Sequence, residues 1–230
     1  NNLYAVNSNG SLRFSIQTGD KVQSSPSFLD YNGGQYIFFG SNDDMIYAVD
    51  IDGNTLNGWP LEVNGAIGGS VVFSDLDNDN NPEVVAATET GDILALHLDG
   101  SYVTYFPIAN DFPSSGSPMV IDLDGDNDLE IMAGSGSNLF VADIKDPGNT
   151  NNYWNIYRGG INRRGINFVN GNCTDSLACN YDPNGQINNG SCIYKREHED
   201  CSGNCIDGFS EDECGVCGGN GPEDGYDCNG

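Results

Sequence analysis

The sequence predicts an all-β chain: β-propeller blades, half a blade followed by three, then a small disulfide-rich, loop-rich C-terminal domain. Three observations carry this expectation. A strand–loop–strand unit begins at Ser25, Ser70 and Ser117, at intervals of 45 and 47 residues. Two of its loops carry the same ladder of acidic residues. All eight cysteines lie beyond residue 170.

The first element is a fragment of the repeat. Leu3-Tyr-Ala-Val-Asn-Ser-Asn-Gly10 matches Ile46-Tyr-Ala-Val-Asp-Ile-Asp-Gly53, a third strand with its turn. Residues 1–22 therefore read as the outer half of a blade. Half a blade plus three does not close a ring that typically needs four to eight. Unpaired strand edges are also an aggregation hazard. The expected cover is upstream blades of the same polypeptide or a neighbouring subunit. Asn1 is not an initiator residue, and neither a signal peptide nor a membrane span is visible. A cleaved piece, or the C-terminal part of a longer polypeptide, is the expectation.

Full blades are placed at 23–66, 67–113 and 114–170. Ser25-Pro-Ser-Phe-Leu-Asp30, Ser70-Val-Val-Phe-Ser-Asp75 and Ser117-Pro-Met-Val-Ile-Asp122 supply the first strands. Tyr36-Ile-Phe-Phe, Glu83-Val-Val-Ala-Ala and Glu130-Ile-Met-Ala supply the second, and Met45-Ile-Tyr-Ala-Val, Ile93-Leu-Ala-Leu and Leu139-Phe-Val-Ala the third. Turns such as Asp52-Gly53 and Asp99-Gly100 lead to a fourth. Short strands at this spacing, with no amphipathic helix among them, are the pattern of propeller blades.

The loops between the first two strands carry the chemistry. Asp75-Leu-Asp-Asn-Asp-Asn-Asn-Pro-Glu83 and Asp122-Leu-Asp-Gly-Asp-Asn-Asp-Leu-Glu130 place carboxylates at positions 1, 3, 5 and 9. Alternate side chains of a tight loop converge on one hard cation; a carbonyl at position 7 adds an oxygen and the glutamate closes the far side. Without a cation, so many carboxylates in nine residues repel one another. An acidic protein carries Asp/Asn-rich turns for solubility alone. Repetition of the spacing, with the same apolar flanks, is what points to calcium.

These residues resemble the FG-GAP/VCBS family of β-propellers over roughly residues 1–170, including the Asn57-Gly-Trp-Pro60 turn. The resemblance implies calcium held by Asp75, Asp77, Asp79, Asn81 and Glu83, and by Asp122, Asp124, Asp126, Asp128 and Glu130. Positions 81 and 128 would contribute main-chain carbonyls. Asp30-Tyr-Asn-Gly-Gly-Gln-Tyr36 departs from the pattern and lacks the acidic ladder, so no metal is expected there. Trp154-Asn-Ile-Tyr-Arg-Gly-Gly-Ile-Asn-Arg-Arg-Gly165 resembles a segment near the boundaries of such propellers. Trp154 and Tyr157 are expected to plug the edge of the last blade. Arg158, Arg163 and Arg164 would tie the segment to the acidic blade surface, with an anion site as the alternative.

Residues 171–230 hold Cys173, Cys179, Cys192, Cys201, Cys205, Cys214, Cys217 and Cys228, many glycines and almost no aliphatic core. Burial alone does not offset the chain entropy of such a segment, so covalent staples are expected. An even cysteine count points to disulfides and an oxidising, extracytoplasmic compartment; the chain reads as secreted or displayed at the cell surface. Cys173-Thr-Asp-Ser-Leu-Ala-Cys-Asn-Tyr-Asp-Pro resembles a cysteine-rich module of secreted, Bacteroidetes-like surface proteins, and Cys214-Gly-Val-Cys-Gly-Gly resembles an element of cysteine-rich regions in extracellular proteins, including some secreted metalloproteases, with no protease activity implied. Cys214-x-x-Cys217 as half a zinc site has only His198 nearby as a partner, and a redox role lacks a βαβ context. Asp182 and Asn184 are a weaker calcium candidate. Asp175-Ser-Leu177 resembles a bacterial O-glycosylation acceptor, making Ser176 a candidate glycan site; Asn9, Asn172 and Asn189 lie in Asn-x-Ser/Thr sequons.

The formal charge is −26. Such a field repels nucleic acid and anionic membranes, and attracts divalent cations and basic partners. No serine triad, His-Glu-x-x-His helix or phosphate-cradling glycine loop is present. His97 reads as an ordinary strand residue rather than a base, and no catalytic role is assigned. Three functional classes remain. They are a calcium-stabilised extracellular structural or adhesion module meeting protein or glycan, a non-catalytic accessory region of a larger secreted peptidase or glycan-degrading enzyme, and a subunit of an extracellular filament.

Overall fold

The structure is a computed structural model. It describes residues 1–110, 112–150, 153–160, 163, 165, 173, 175–179, 181, 194–195, 198–201, 204–206, 208–212, 214, 216–219 and 221. The chain forms two compact units, Asn1–Asn167 and Phe168–Gly230, dividing three residues before the boundary expected from composition.

The first unit is all-β. Strands β1 (Asn2–Val6) and β2 (Leu12–Gln17) form a two-stranded antiparallel sheet. Strands β3 (Ser27–Tyr31), β4 (Gly34–Gly40), β5 (Met45–Asp50) and β6 (Leu61–Glu62) make a four-stranded antiparallel meander. A second meander consists of β7 (Val72–Ser74), β8 (Glu83–Ala87), β9 (Asp92–Leu96) and β10 (Ile108–Ala109). A third sheet has three strands, β11 (Met119–Ile121), β12 (Asp128–Gly134) and β13 (Leu139–Pro147). Among the described residues the single helical element is one 3-10 turn, Tyr157–Gly159. These sheets are propeller blades.

Period-two alternation explains how the blades stack. Phe73, Val84, Ala86, Leu94 and Leu96 of the middle blade pack with Leu29, Phe38, Ile46 and Ala48 of the blade before it. Val72, Val85, Ala87, Ile93 and Ala95 pack with Val120, Leu129, Ile131 and Ala133 of the blade after it. Alternate residues of one strand thus enter two different cores. The middle blade is covered on both faces, so β8 is buried at every position.

The turn between β1 and β2 is built like those that follow β5 and β9. The N–H of Gly10 donates to Asn7 (2.9 Å), that of Gly53 to Asp50 (3.0 Å) and that of Gly100 to His97 (2.9 Å). Each glycine is left-handed, at φ 83, 87 and 85, a conformation that carries a steric penalty for a residue with a Cβ. Arg13 bridges to Asp52 at 2.9 Å, and Phe14 lies over Gly53. Tyr4, Val6 and Leu12 are exposed, as are Leu139 and Val141 on β13.

The segment following β13 differs from expectation. It meets the inner edge of the last blade through Asn155 at Val120, but Trp154 reaches the blade before it. The N–H of Phe73 donates to Trp154 O (2.9 Å), and that of Val120 to Asn155 O (2.9 Å). Trp154 joins the core between the first two full blades, edge-on to Phe28 at 5.3 Å. The reason is that innermost strands carry unpaired backbone groups, which a returning chain satisfies. The fourth strand expected for the last blade is accordingly missing from its sheet among the described residues. Among the described residues, neither Arg158 nor Arg163 ties this segment to an acidic side chain. Arg158 stands over the Tyr157 ring at 5.2 Å; Arg163 lines a cavity discussed below; Arg164 lies outside the described residues.

In the second unit, Cys179 pairs with Cys201 and Cys205 with Cys217. Cys173 and Cys214 are disulfide-bonded too; Cys192 and Cys228 lie outside the described residues. Cys217 is therefore stapled to Cys205, not poised as a redox or zinc pair with Cys214. Two similar turns, twelve residues apart, run from Glu199 to Cys205 and from Glu211 to Cys217, each closed by a bridge between its ends. Asp200 accepts the N–H of Asn204 (2.9 Å), and Asp212 those of Cys214 (2.9 Å), Val216 (2.9 Å) and Gly221 (2.8 Å). Those bonds to its ionised form hold the Asp212 carboxyl below the usual range. Ser176 is exposed in a turn, whereas Asn172, Asn189, Asp182 and Asn184 lie outside the described residues.

Each disulfide closing a loop of this size contributes roughly 3 kcal/mol, and few apolar side chains stand behind them. Mild reduction is expected to unfold the second unit while the blades stay folded. Thiol labelling before and after reduction, with circular dichroism, measures this. Several reactive thiols in the untreated protein, or simultaneous loss of both units, would contradict it.

Candidate metal centre

The loop Asp75–Glu83 joins β7 to β8, and Asp122–Glu130 runs from β11 into β12. Their backbones follow one plan. Positions 4 and 6 are left-handed in both: Asn78 (φ 60) and Asn80 (φ 67), Gly125 (φ 83) and Asn127 (φ 75). Glycine and asparagine tolerate that region best, so the residues between the acids are as much part of the design as the acids. Position 9 repeats as well. Glu83 Oε2 accepts the N–H of Leu76 at 2.7 Å, and Glu130 Oε2 that of Leu123 at 2.6 Å. Each glutamate thereby pins the start of its loop to the following strand.

In the first loop, carboxylate oxygens of Asp75, Asp77 and Glu83 lie within 4.8 Å of one another. Asp75 and Glu83 are fully buried. Asp75 accepts N–H bonds from Asp79 (3.1 Å) and Asn80 (3.0 Å), and one from the Asn149 side-chain amide (2.9 Å). Glu83 Oε1 has no hydrogen-bond partner. His97 Nδ1 stands 3.4 Å from it, near enough to feel its charge but not aligned to share a proton. Burial pushes the Glu83 carboxyl up to about 8, and the charges of Asp77, Asp79 and Asp75 push the same way; the Leu76 bond opposes them.

The second loop is more open. Oxygens of Asp122, Asp124 and Asp126 group together, as do those of Asp126, Asp128 and Glu130, so Asp126 links all five acids. Asp122 accepts one N–H, from Gly125 (2.7 Å). Asp128 Oδ1 is buried and unpartnered. Desolvation, then the bond to and charge of Asp126, raise the Asp128 carboxyl to about 6. Lys145 lies 3.6 Å from Asp128 and also pairs with Asp143.

Both loops present a buried, unpartnered carboxylate oxygen inside a cluster of others, which suits a hard divalent cation. Asp79 turns to the Asn81 N–H (2.7 Å) and side-chain amide (2.8 Å), and the Asn81 side-chain oxygen accepts from the Tyr31 hydroxyl; the ligand expected of Asn81 is its main-chain carbonyl, which these bonds leave aside. The remaining loop, between β3 and β4, is a two-residue hairpin with Asn32 (φ 49) and Gly33 (φ 75) both left-handed. Such a turn is favoured between twisted antiparallel strands, and leaves no room for a nine-residue ladder.

Sequence reasoning missed Asn149, Tyr31 and His97 as neighbours of the first loop. Asn149 pairs its backbone with Asp75 at 3.0 and 2.8 Å, a contact across 74 residues that no local spacing announces. His97 is in the turn just past β9 rather than on a strand.

No family model and no curated protein matches the chain. Among solved structures, BamB from Moraxella catarrhalis is similar at 17% identity and a TM-score of 0.42, covering 61% of this chain and 39% of that one. The chain thus spans well under half the length of that neighbour.

Proposed function

We propose that this chain is a calcium-stabilised extracellular structural or adhesion module with no catalytic role. The observation that supports it most is the pairing of buried, unpartnered oxygens on Glu83 and Asp128 with carboxylate clusters in two loops of one backbone plan. In this reading Asp75, Asp77 and Glu83 hold one ion, and the acids from Asp122 to Glu130 hold another. Each ion cancels repulsion among the acids and ties the first two strands of its blade together. The blades then present a rigid surface, and the stapled second unit acts as spacer or cap. A strand from a neighbouring chain or blade covers the open edge of β1. The disulfides are compatible with an oxidising compartment, and among the described residues no helix is long and apolar enough to cross a membrane.

Titration of the metal-free chain with calcium, followed by calorimetry, is the test. Two ions per chain are expected. No binding at millimolar calcium would remove the proposal.

A further inference from the structure

A second kind of site lies where the blades begin. Gln23, Ser25, Gly68, Gly69, Ser70, Ser115, Gly116, Ser117, Tyr157 and Arg163 line a cavity of about 390 Å³. Ser25, Ser70 and Ser117 are the first residues of the three repeats, so the blade axis gathers equivalent hydroxyls at one place. Packing explains part of this composition. A Cβ on Gly69 would meet Gly116 O at 2.3 Å, and the Ser70 N–H donates to Ser117 Oγ at 2.8 Å. Packing does not explain the Ser70 hydroxyl itself. Ser70 is 2% exposed, and its Oγ has no hydrogen-bond partner; a buried hydroxyl left unpaired is costly.

Charge sets the cavity apart. In a chain of net charge −26 the described residues of its lining hold no acid and one guanidinium, Arg163, which forms no ion pair among the described residues. Arg158 stands over the Tyr157 ring; the contact with Ser25 Oγ at 3.4 Å, and then the charges of Arg158 and Arg163, hold the Tyr157 hydroxyl below its ordinary pKa, against burial. Glu89 approaches Gly68 from outside the lining.

We propose that this cavity binds an acidic sugar residue, a uronate, as the glycan ligand of the adhesion reading on which this inference rests. A guanidinium takes a carboxylate in a bidentate pair. The serine hydroxyls, Gln23 and the Tyr157 hydroxyl meet the sugar hydroxyls. A peptide ligand fits less well, because the described residues of the lining offer no apolar side chain beyond the tyrosine ring. A polyanion is repelled by the surrounding acidic surface, so a single uronate on an otherwise neutral glycan is favoured.

The test uses the full chain at saturating calcium, with glucuronate, glucose and acetate titrated separately by NMR. Glucuronate is expected to bind at least tenfold more tightly than either of the others. Arg163→Gln should remove at least tenfold of that affinity, and Ser70→Ala a few-fold, with calcium binding and melting temperature unchanged. Equal affinity for acetate and glucuronate overturns the proposal, as does an Arg163→Gln variant that binds glucuronate as before. Loss of calcium binding with the uronate site intact would instead remove the calcium reading, so the two fail separately.

Discussion

Chelation of calcium is expected to lower the melting temperature of the blade unit by roughly 10–20 °C. An ion that binds only the folded form stabilises it by about 2.7 kcal/mol per site when free calcium is a hundred times the dissociation constant. Two such sites contribute roughly 5 kcal/mol, and a unit of this size shifts by about 2–4 °C per kcal/mol. The effect should depend on pH in a definite direction. Without metal, the Glu83 carboxyl titrates near 8 in the folded chain against an ordinary 4.5. A raised carboxyl stabilises the metal-free fold fully below about 4.5, and that contribution is lost as pH rises to about 8. Calcium takes the place of the proton, so the calcium-dependent gain should be larger at pH 8 than at pH 5. Differential scanning calorimetry with calcium and with chelator at both values reads this directly. A shift under about 2 °C at pH 8, or a larger gain at pH 5, would count against the metal assignment.

Asp75→Ala should destabilise the blades by about 2–4 kcal/mol even in chelator, whereas Asp122→Ala should cost about 1 kcal/mol. Leaving a donor unpaired costs roughly 1–3 kcal/mol where water cannot reach it. Asp75 is fully buried and accepts from Asp79, Asn80 and Asn149. Its removal takes away the shortest acceptor of the Asn149 side-chain amide and the acceptor of the Asn80 N–H, while the Asp79 N–H retains Asp77 at 3.3 Å. Asp122 accepts one N–H in a more open loop. Both substitutions should abolish calcium binding in their own loop and leave the other intact. Urea unfolding in chelator compares them. Equal costs would mean that the two loops are alike in the folded chain and that the Asn149 contact carries nothing.

The sequence alone determined whatever is set by local spacing. Strand alternation, the left-handed Gly10, Gly53 and Gly100 and the Asn32-Gly33 hairpin each follow from a few adjacent residues. So does the acidic ladder, where asparagine and glycine at positions 4 and 6 turn the odd positions one way. The half-blade at the N-terminus was legible because Tyr4-Ala-Val6 copies Tyr47-Ala-Val49. Tertiary structure decided what depends on distant parts of the chain. Asn149 reaches Asp75, Trp154 enters a core between blades rather than sealing the last one, and Arg163 turns toward a cavity of serines instead of an acidic face. No periodicity encodes these contacts. They arise because the inner strands leave backbone donors that a returning segment satisfies, and because blade packing alone settles which carboxylates are buried. Asp75 and Asp122 occupy the same place in the repeat. Packing makes the first a buried hub of three bonds and leaves the second holding one, since the middle blade is covered on both faces and Asn149 reaches its loop.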